Sequence, residues 1–318
     1  MVSTGAPRGK PITVAALLAF ATNIGLGRMA EISNLSRGQL ATAAANLVRL
    51  ETVREANERL ANATAKLPIF RHFDIGRVVH SSSDGQRFES AIPTINARHS
   101  ARYFGLKKGV VAYTLLASHV PLSARIIGAN EHESHHVFDV LFNNLTDIRP
   151  EVHSTDTHGT NRVNFALLNL FGYAFAPRYR DFREKVRTAL YGFHHPKEVE
   201  KPLKPVRRIR EPLIASEWPN IERILLSLAL KTTTQSVLVA KLSSWRRQNR
   251  TARALWELEH VFRSLYLLDY VDSAALRGSV QRALNRGESY HRLRRAVAYA
   301  QGGRFRVRSQ HEQELWNE

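Results

Sequence analysis

The sequence contains no cysteine and has far fewer acidic than basic residues. Without cysteine among its 318 residues, the chain can form neither disulfides nor thiolate metal sites, so any bound metal must use oxygen or imidazole ligands. A reducing cytoplasm fits this composition. No apolar run approaches the ~20 residues that a bilayer-spanning helix needs, so we expect no membrane partner. Internal repeats and low-complexity tracts are also absent.

The shortage of acidic residues leaves a large positive charge. The chain has 46 Lys and Arg against 28 Asp and Glu, which gives a formal net charge of +18. A fold does not require this excess, because it increases self-repulsion. The excess predicts a polyanionic partner, with nucleic acid favoured over an anionic membrane surface.

Three carboxylates stand out against this basic background. Asp84 and Asp156 each follow a short strand-like run, and we expect Glu288 to open an Arg-rich helix. Two aspartates on strand ends and one glutamate on a helix suit a two-metal phosphoryl-transfer site, because hard divalent cations prefer several anionic oxygens. With a basic chain around them, these acids predict DNA strand cleavage and transfer.

The first half of the chain predicts helices followed by a mixed sheet. Residues 12–66 are helical in pattern, and Pro68 is expected to end this segment. The pattern then predicts three strands, at 74–83, 110–120 and 124–129, and a helix at 131–145. A fourth strand at 150–156 ends near Asp156, and a helix at 160–171 and a strand at 173–176 follow it. This is the order of a ribonuclease H-like α/β fold, in which the first and fourth strands are neighbours. Asp84 and Asp156 would therefore lie close together.

The second half predicts a basic connection and a block of helices. Residues 178–212 hold four prolines and many basic residues, which favours an extended connection rather than a helix or strand. Helices are predicted at 221–230, 233–245, 251–270 and 273–284. The resulting division begins with a helical lead-in at 1–70 and the first part of a ribonuclease H-like core at 71–182. A basic linker with an all-helical insertion follows at 183–284, and the final catalytic helix with the rest of the C-terminal part occupies 285–318.

The final predicted helix has two distinct faces. Leu293, Ala296, Val297 and Ala300 form the expected core stripe. A neighbouring face consists of Glu288, Arg292, Arg295 and Tyr299. It places one carboxylate in line with two arginines that can bind phosphates.

Four sequence motifs resemble the catalytic region of the Tn-three family of replicative bacterial transposases. The resemblance covers about residues 12–318. The motifs are Ser81-Ser-Ser-Asp84-Gly-Gln-Arg-Phe, Asn96-Ala-Arg-His-Ser-Ala-Arg-Tyr-Phe-Gly105, Ser154-Thr-Asp156-Thr-His-Gly-Thr-Asn161 and Asn285-Arg-Gly-Glu288-Ser-Tyr-His-Arg-Leu-Arg-Arg295.

The resemblance implies a fold, a reaction and partners. It implies a ribonuclease H-like core with an Asp-Asp-Glu triad at Asp84, Asp156 and Glu288, which would hold two Mg²⁺ ions that Mn²⁺ can replace. The implied reaction is nicking at transposon ends, followed by attack of the 3′-hydroxyls on target DNA to form a cointegrate. Double-stranded DNA, a homodimer in the DNA complex and a location at the bacterial nucleoid are implied as well. Because family members are much longer, we expect this chain to be truncated at both ends.

The DNA contacts and the exact activity remain open at this stage. Each basic candidate could instead be a solvated surface residue; the candidates are Arg87, Arg98, Arg102, His158, Arg207, Arg208, Arg246, Arg247, Arg292 and Arg295. Glu257, Glu259, Asp269 and Asp272 are alternatives to Glu288 as the third acid. A ribonuclease H-like nuclease or resolvase would share the triad, and an inactive DNA-binding remnant would need none of it.

A second possible metal site lies at the start of the predicted helix 131–145. His132, His135 and His136 stand beside Glu131 and Glu133, and both residue types can bind zinc. Successive helical residues point in different directions, however, and no second ligand pair is nearby. We therefore expect a solvated helix start.

Overall fold

The protein is a mixed β-sheet with helices on both faces, preceded by a group of helices. The computed structural model describes residues 9–92, 94–244, 249–299, 302–305 and 309–318. Within these ranges, five residues are described by their backbone alone: His158, Ser243, Ser244, Phe305 and Gln310.

The elements of the described chain are as follows. The α-helices are α1 (Lys10–Ala21), α2 (Gly25–Ile32), α3 (Arg37–Leu47), α4 (Leu50–Ala65), α5 (Pro68–His72), α6 (Ala101–Phe104), α7 (Val137–Phe142), α8 (Arg162–Leu170), α9 (Phe182–Ala189), α10 (Glu211–Ala229), α11 (Gln235–Ser244), α12 (Arg250–Asp272), α13 (Ala274–Tyr299) and α14 (Gln310–Asn317). The strands are β1 (His80–Ser90), β2 (Arg98–His99), β3 (Lys108–Ala117), β4 (Val120–Gly128), β5 (Val152–Ser154), β6 (Ala174–Phe175), β7 (Tyr191–Gly192), β8 (Arg207–Arg208) and β9 (Arg304–Phe305). Short 3-10 helices occupy Glu133–His135, Thr157–Gly159 and Pro196–Glu198.

The sheet has the predicted ribonuclease H-like strand order. β1 lies in the middle, antiparallel to β3 on one side and parallel to β5 on the other. β6 continues the sheet beyond β5, and β4 pairs with the far edge of β3. The first long strand and the fourth are therefore neighbours, as the sequence predicted, with Ser82 opposite Ser154.

Both faces of the sheet are buried by helices. Every residue of β3 after Lys108 is buried, which is typical of a strand covered on both sides. Val111, Tyr113 and Leu115 pack into the larger core with residues of α7, α8 and α12. Val110 and Ala112 pack on the opposite face with Ala298 of α13 and Trp316 of α14.

The amino-terminal helices form a smaller core of their own. Leu40 and Ala43 of α3 pack against Ile12 and Ala19 of α1. Pro68 does not end the helical segment as predicted. It lies in the first turn of α5, where its missing N–H costs no hydrogen bond.

Several predicted elements differ from those in the structure. The predicted strand 74–83 is displaced, because β1 begins at His80 and runs through Asp84 to Ser90. The predicted helix 131–145 is only the 3-10 helix Glu133–His135 followed by α7. The predicted extended connection 178–212 contains α9, and β7 pairs with β8 there. Its prolines lie outside α9 and therefore do not prevent that helix.

The final helix is longer than predicted, and a different face of it is buried. α13 runs without a break from Ala274 to Tyr299, so Glu288 lies in its middle rather than at its start. The expected core stripe was wrong: the Leu293 side chain is 62% exposed, whereas Arg294 is buried. The buried residues of α13 are Val280, Ala283, Leu284, His291, Arg294 and Ala298. Ala300 lies outside the described residues.

Hydrogen bonds attach α13 to the sheet. Ser82 Oγ donates to the Ala283 carbonyl over 2.9 Å, and Gln86 Nε2 donates to the His291 carbonyl over 2.8 Å. Because Ser82, Asp84 and Gln86 alternate along β1, Asp84 points to the same side as α13. In the described part of the chain, no helix combines the length and apolar character needed to cross a bilayer.

Candidate active site

Asp84 lies in the middle of β1, below α13. Its side chain is 29% exposed, and its Oδ2 is 3.6 Å from Nδ1 of His291 on α13. Its Oδ1 accepts a hydrogen bond from the Gly85 N–H over 2.8 Å. Strand, helix and backbone therefore hold this carboxylate at a defined place.

Asp156 follows the neighbouring parallel strand. It stands two residues after Ser154 on β5, just as Asp84 stands two residues after Ser82 on β1, and those two serines are paired. The Gly159 N–H donates to Asp156 Oδ1 over 3.1 Å, which ties the carboxylate to the 3-10 helix Thr157–Gly159. The register thus brings together two acids that are 72 residues apart in sequence.

Glu288 lies on an exposed part of α13, and its charge acts on Asp84. Burial raises the pKa of Asp84 to about 8, and repulsion from Glu133, Asp156 and Glu288 contributes to this increase. The charges of Asp156 and Glu288 thus both act on Asp84.

Two of the four rival acids on α12 have other partners. Glu257 forms ion pairs with Arg207 at 2.9 Å and Arg210 at 3.6 Å. Glu259 pairs with Arg263 at 2.9 Å. These contacts give both glutamates a role within the helical block.

Glu133 is a fourth acid at the site, and sequence reasoning missed it. The predicted solvated helix start was wrong here, because the Glu133 side chain is only 4% exposed. Burial, with a contribution from the charge of Asp156, raises the pKa of Glu133 to about 7, although the nearby Arg87 partly offsets this effect. Glu133 was considered only as a possible zinc ligand beside the histidines, and it was then assigned to a solvated helix start.

His291 is the second residue at the site that sequence reasoning missed. It is buried, and burial, together with the charges of Arg294 and Arg295, lowers its pKa to about 4. The imidazole is therefore neutral at pH 7 and can donate or accept a hydrogen bond beside Asp84. Its position three residues after Glu288 could have indicated it, because such residues lie on adjacent parts of a helix surface.

The acid group fits a divalent cation in its chemistry. All its members are carboxylates, which hard cations such as Mg²⁺ prefer, and their mutual repulsion raises the pKa of Asp84. A bound cation would relieve that repulsion. Among the residues that the structure describes, no three His, Asp or Glu side chains are close enough to enclose an ion, so binding would require side-chain rotations.

A buried polar network supports the two aspartate strands. His153 on β5 is hydrogen-bonded through Nδ1 to Ser81 Oγ and through Nε2 to Ser83 Oγ, both at 2.9 Å. Tyr113 on β3 is hydrogen-bonded to Ser83 at 2.6 Å. The serines before Asp84 therefore form cross-strand bonds rather than a surface turn.

Several predicted DNA contacts lie near the acids. The Arg87 guanidinium bonds Glu133 at 2.8 Å and lies 4.1 Å above the Tyr103 ring. Arg98 and Arg102 are exposed at the end of the sheet. Arg292 and Arg295 are exposed on α13, on the same side as Glu288.

The remaining predicted contacts are elsewhere or are not described. The structure gives Arg207 a role that differs from the predicted phosphate contact, because it donates two hydrogen bonds to the buried Glu257. Arg208 is exposed and pairs with Glu211 at 3.4 Å. Arg246 and Arg247 lie outside the described residues, and only the backbone of His158 is described.

Comparisons with known proteins identify relatives over almost the whole chain. The family described as the Tn3 transposase DDE domain matches residues 3–318. The chain is 34% identical over 309 residues to "Transposase for transposon Tn3926" of Escherichia coli, covering 95% of this chain and 30% of that protein. It is also 34% identical over 304 residues to "Transposase for transposon Tn501" of Pseudomonas aeruginosa, with the same coverage of both.

No solved structure matches the chain. A third relative is covered to nearly the same extent as the first two. The chain is 32% identical over 308 residues to "Transposase for transposon gamma-delta" of Escherichia coli (strain K12), covering 94% of this chain and 30% of that protein. It thus spans about a third of the length of these relatives. The family match confirms the predicted resemblance: this chain belongs to the Tn3 transposase DDE domain family.

Proposed function

We propose that this chain carries the DNA-cleaving and strand-transferring site of a transposase. The observation that supports this most strongly is the pairing of β1, which carries Asp84, with β5, which precedes Asp156, in a chain of the Tn3 transposase DDE domain family. The charge of Glu288 on α13 also acts on Asp84. The reaction would nick DNA at transposon ends and then join the freed 3′-hydroxyls to target DNA, producing a cointegrate.

Asp84, Asp156 and Glu288 would hold the divalent cations that a DDE transposase domain implies. We propose two Mg²⁺ ions, with Mn²⁺ as a substitute. When bound, such ions activate the attacking oxygen and stabilise the leaving oxygen of a phosphodiester. The carboxylates supply the negative charge that keeps the ions in place.

Residues around the acids would orient the DNA. Arg292 and Arg295 project from α13 on the side of Glu288, where they can bind phosphates on either side of the scissile bond. His291, whose Nδ1 lies 3.6 Å from Oδ2 of Asp84, can restrict the orientation of the Asp84 side chain. No covalent enzyme intermediate is needed.

Double-stranded DNA is the proposed partner, and the net charge of +18 supports it. Binding to both transposon ends would bring two copies of the protein together as a homodimer in the DNA complex. General DNA affinity would also place the protein at the nucleoid.

Nicking of supercoiled plasmid DNA in Mg²⁺ tests the proposal. Asp84→Asn, Asp156→Asn and Glu288→Gln should each reduce the nicking rate at least about a hundredfold with little change in DNA affinity. Glu31→Gln, at the exposed end of α2, is the matched control. Joined products would distinguish a transposase from a hydrolytic nuclease or resolvase. DNA binding without any nicking by the unaltered chain would favour an inactive remnant.

A further inference from the structure

The carboxylate of Glu133 lies unusually close to the backbone of β1. A Cβ atom at Gly85 would be 2.6 Å from both Cδ and Oε1 of Glu133. Real side chains do not approach so closely, so only glycine allows this carboxylate to lie beside the residue that follows Asp84. The missing side chain at Gly85 thus leaves room for the Glu133 carboxylate beside β1, one residue along the strand from Asp84.

Stability alone does not account for the Glu133 contacts. Arg87 is its ion-pair partner at 2.8 Å, yet Nε of Arg87 is buried without a hydrogen-bond partner in the described structure. Buried ion pairs are often no more stabilising than well-packed apolar residues, because both charges lose their hydration. For stability alone, a well-packed pair of apolar side chains in place of Arg87 and Glu133 would serve equally well.

Two further acidic side chains lie around Glu133. Asp84 and Asp156 are within electrostatic range of it, while Arg87 is a cation that contacts it. A divalent cation would complement this group of carboxyls.

We propose that Glu133 is a fourth carboxylate of the divalent-cation site, in addition to Asp84, Asp156 and Glu288. This inference rests on the proposed function, since it assumes that the three other acids hold a cation. Arg87 then acts as a competing cation, which pairs with Glu133 while the divalent ion is absent. The alternative is that Glu133 only forms a structural ion pair with Arg87.

The two interpretations predict opposite effects of removing the two partners. Glu133→Gln keeps an oxygen that can accept from Arg87 but removes the negative charge, so cation affinity should fall about tenfold or more. Arg87→Met removes the competing positive charge, so cation affinity should stay the same or rise. A structural ion pair predicts that both variants lose stability and that the folded forms keep the same cation affinity.

The affinity of the whole chain for Mn²⁺ alone tests these predictions without reference to activity. The electron paramagnetic resonance signal of free Mn²⁺ reports how much of the ion remains unbound. Glu131→Gln is the matched control, because Glu131 is two residues away and instead contacts His136 at 3.0 Å and the Gly128 N–H at 2.8 Å. Asp84→Asn is the reference for loss of the site. Circular dichroism checks that each variant is folded.

The outcomes separate this inference from the proposed function. Weaker Mn²⁺ binding by Glu133→Gln, with unchanged binding by Glu131→Gln and no loss in Arg87→Met, supports the fourth carboxylate. Weaker binding by Asp84→Asn with unchanged binding by Glu133→Gln overturns it and leaves the triad standing. If the unaltered chain and Asp84→Asn bind Mn²⁺ equally or not at all, both the triad and the fourth carboxylate are overturned.

Discussion

One glycine allows Glu133 to lie close to β1. A Cβ atom at Gly85 would be 2.6 Å from the Glu133 carboxylate, so the missing side chain leaves the space that this carboxylate occupies. Gly85 does not have a positive φ, so it acts through this space rather than through backbone freedom. At the scale of single residues, the position of Glu133 depends on the absence of a side chain at Gly85.

Gly85→Ala tests this dependence. The added methyl group should displace Glu133 and Val111, both 2.6 Å from it, and lower the free energy of unfolding by about 1–3 kcal/mol. Gly278→Ala is the control, since nothing lies within 4 Å of its added Cβ in α13, and it should be neutral or slightly stabilising. Urea denaturation measures both. Equal stability of the two variants would contradict the close approach at Gly85.

His153 predicts how stability depends on pH. Burial, with a contribution from the charge of His80, lowers the pKa of His153 to about 3, against 6.5 for an exposed histidine. Between these values the unfolded chain binds a proton that the folded chain does not, so stability is present above pH 6.5 and is lost as the pH falls toward 3. This residue should account for about 2 kcal/mol of the loss between pH 7 and pH 5.

The measurement is the free energy of unfolding at several pH values for two variants. His153→Asn should be less stable at pH 7, because hydrogen bonds to Ser81 and Ser83 are lost, but its stability should change less between pH 7 and pH 5. His99→Gln, exposed on β2, should retain the original slope. An unchanged slope in His153→Asn would show that His153 does not titrate as described.

At the scale of elements, α13 connects the sheet, the acids and the exposed arginines. Its buried face is unusually polar, with His291 and Arg294 facing β1 and β3. Arg294 is 6% exposed and donates to Thr114 at 2.6 Å and to Asn317 at 2.7 Å. The helix therefore packs through hydrogen bonds as much as through apolar contacts.

These features explain which elements the sequence could predict. β3, β4 and α8 were predictable because their apolar residues recur regularly, and the strand order followed from them. The bounds of β1 were not predictable, because its His-Ser-Ser-Ser-Asp run has no apolar alternation and its partners are the distant His153 and Tyr113. The face of α13 was misassigned because hydrophobic periodicity favours Leu293 over Arg294.

The same principle applies to the site. Asp84, Asp156 and Glu288 were recognisable from their motifs, whereas Glu133 and His291 become visible only when the tertiary contacts with Gly85 and Asp84 are known. Burial turned Glu133 from an expected surface residue into part of the acid group. Sequence patterns do not report such burial for a charged residue.

Substitutions in α13 should reverse the expectation from hydropathy. Arg294→Ala should lower the free energy of unfolding by about 3 kcal/mol, because buried Thr114 and Asn317 lose a charged partner and the Trp316 ring loses a contact. Leu293→Ala should change it by less than about 0.5 kcal/mol, because the leucine is 62% exposed. Denaturant titrations with the opposite order of effects would contradict this packing of α13.

At the scale of the whole molecule, part of the positive charge is carried by exposed arginines on α13 for which the structure describes no carboxylate partner. Arg292 and Arg295 belong to this group, whereas Arg59 on α4 pairs with Glu55 at 2.6 Å. DNA affinity should therefore depend on the first two more than on the third. Such contacts displace counterions from DNA, so their effect appears in the salt dependence of binding.

Fluorescence anisotropy of unrelated DNA duplexes at several salt concentrations measures this dependence. Arg292→Gln and Arg295→Gln should each weaken binding to all duplexes about equally and reduce the slope of log affinity against log salt by about 1. Arg59→Gln should leave the slope unchanged. Loss of affinity for one sequence alone would indicate base recognition instead of phosphate contact.

The central claim is that Asp84, Asp156 and Glu288 together hold the divalent cations of a DNA-cleaving site. The most direct test is anomalous X-ray diffraction from crystals of the chain bound to a DNA duplex and soaked in Mn²⁺. The account predicts anomalous peaks within about 2.0–2.4 Å of carboxylate oxygens of Asp84 and Asp156, with Glu288 completing the site. Peaks at other acids, such as Glu257 or Asp272, with none between Asp84 and Asp156, would contradict it.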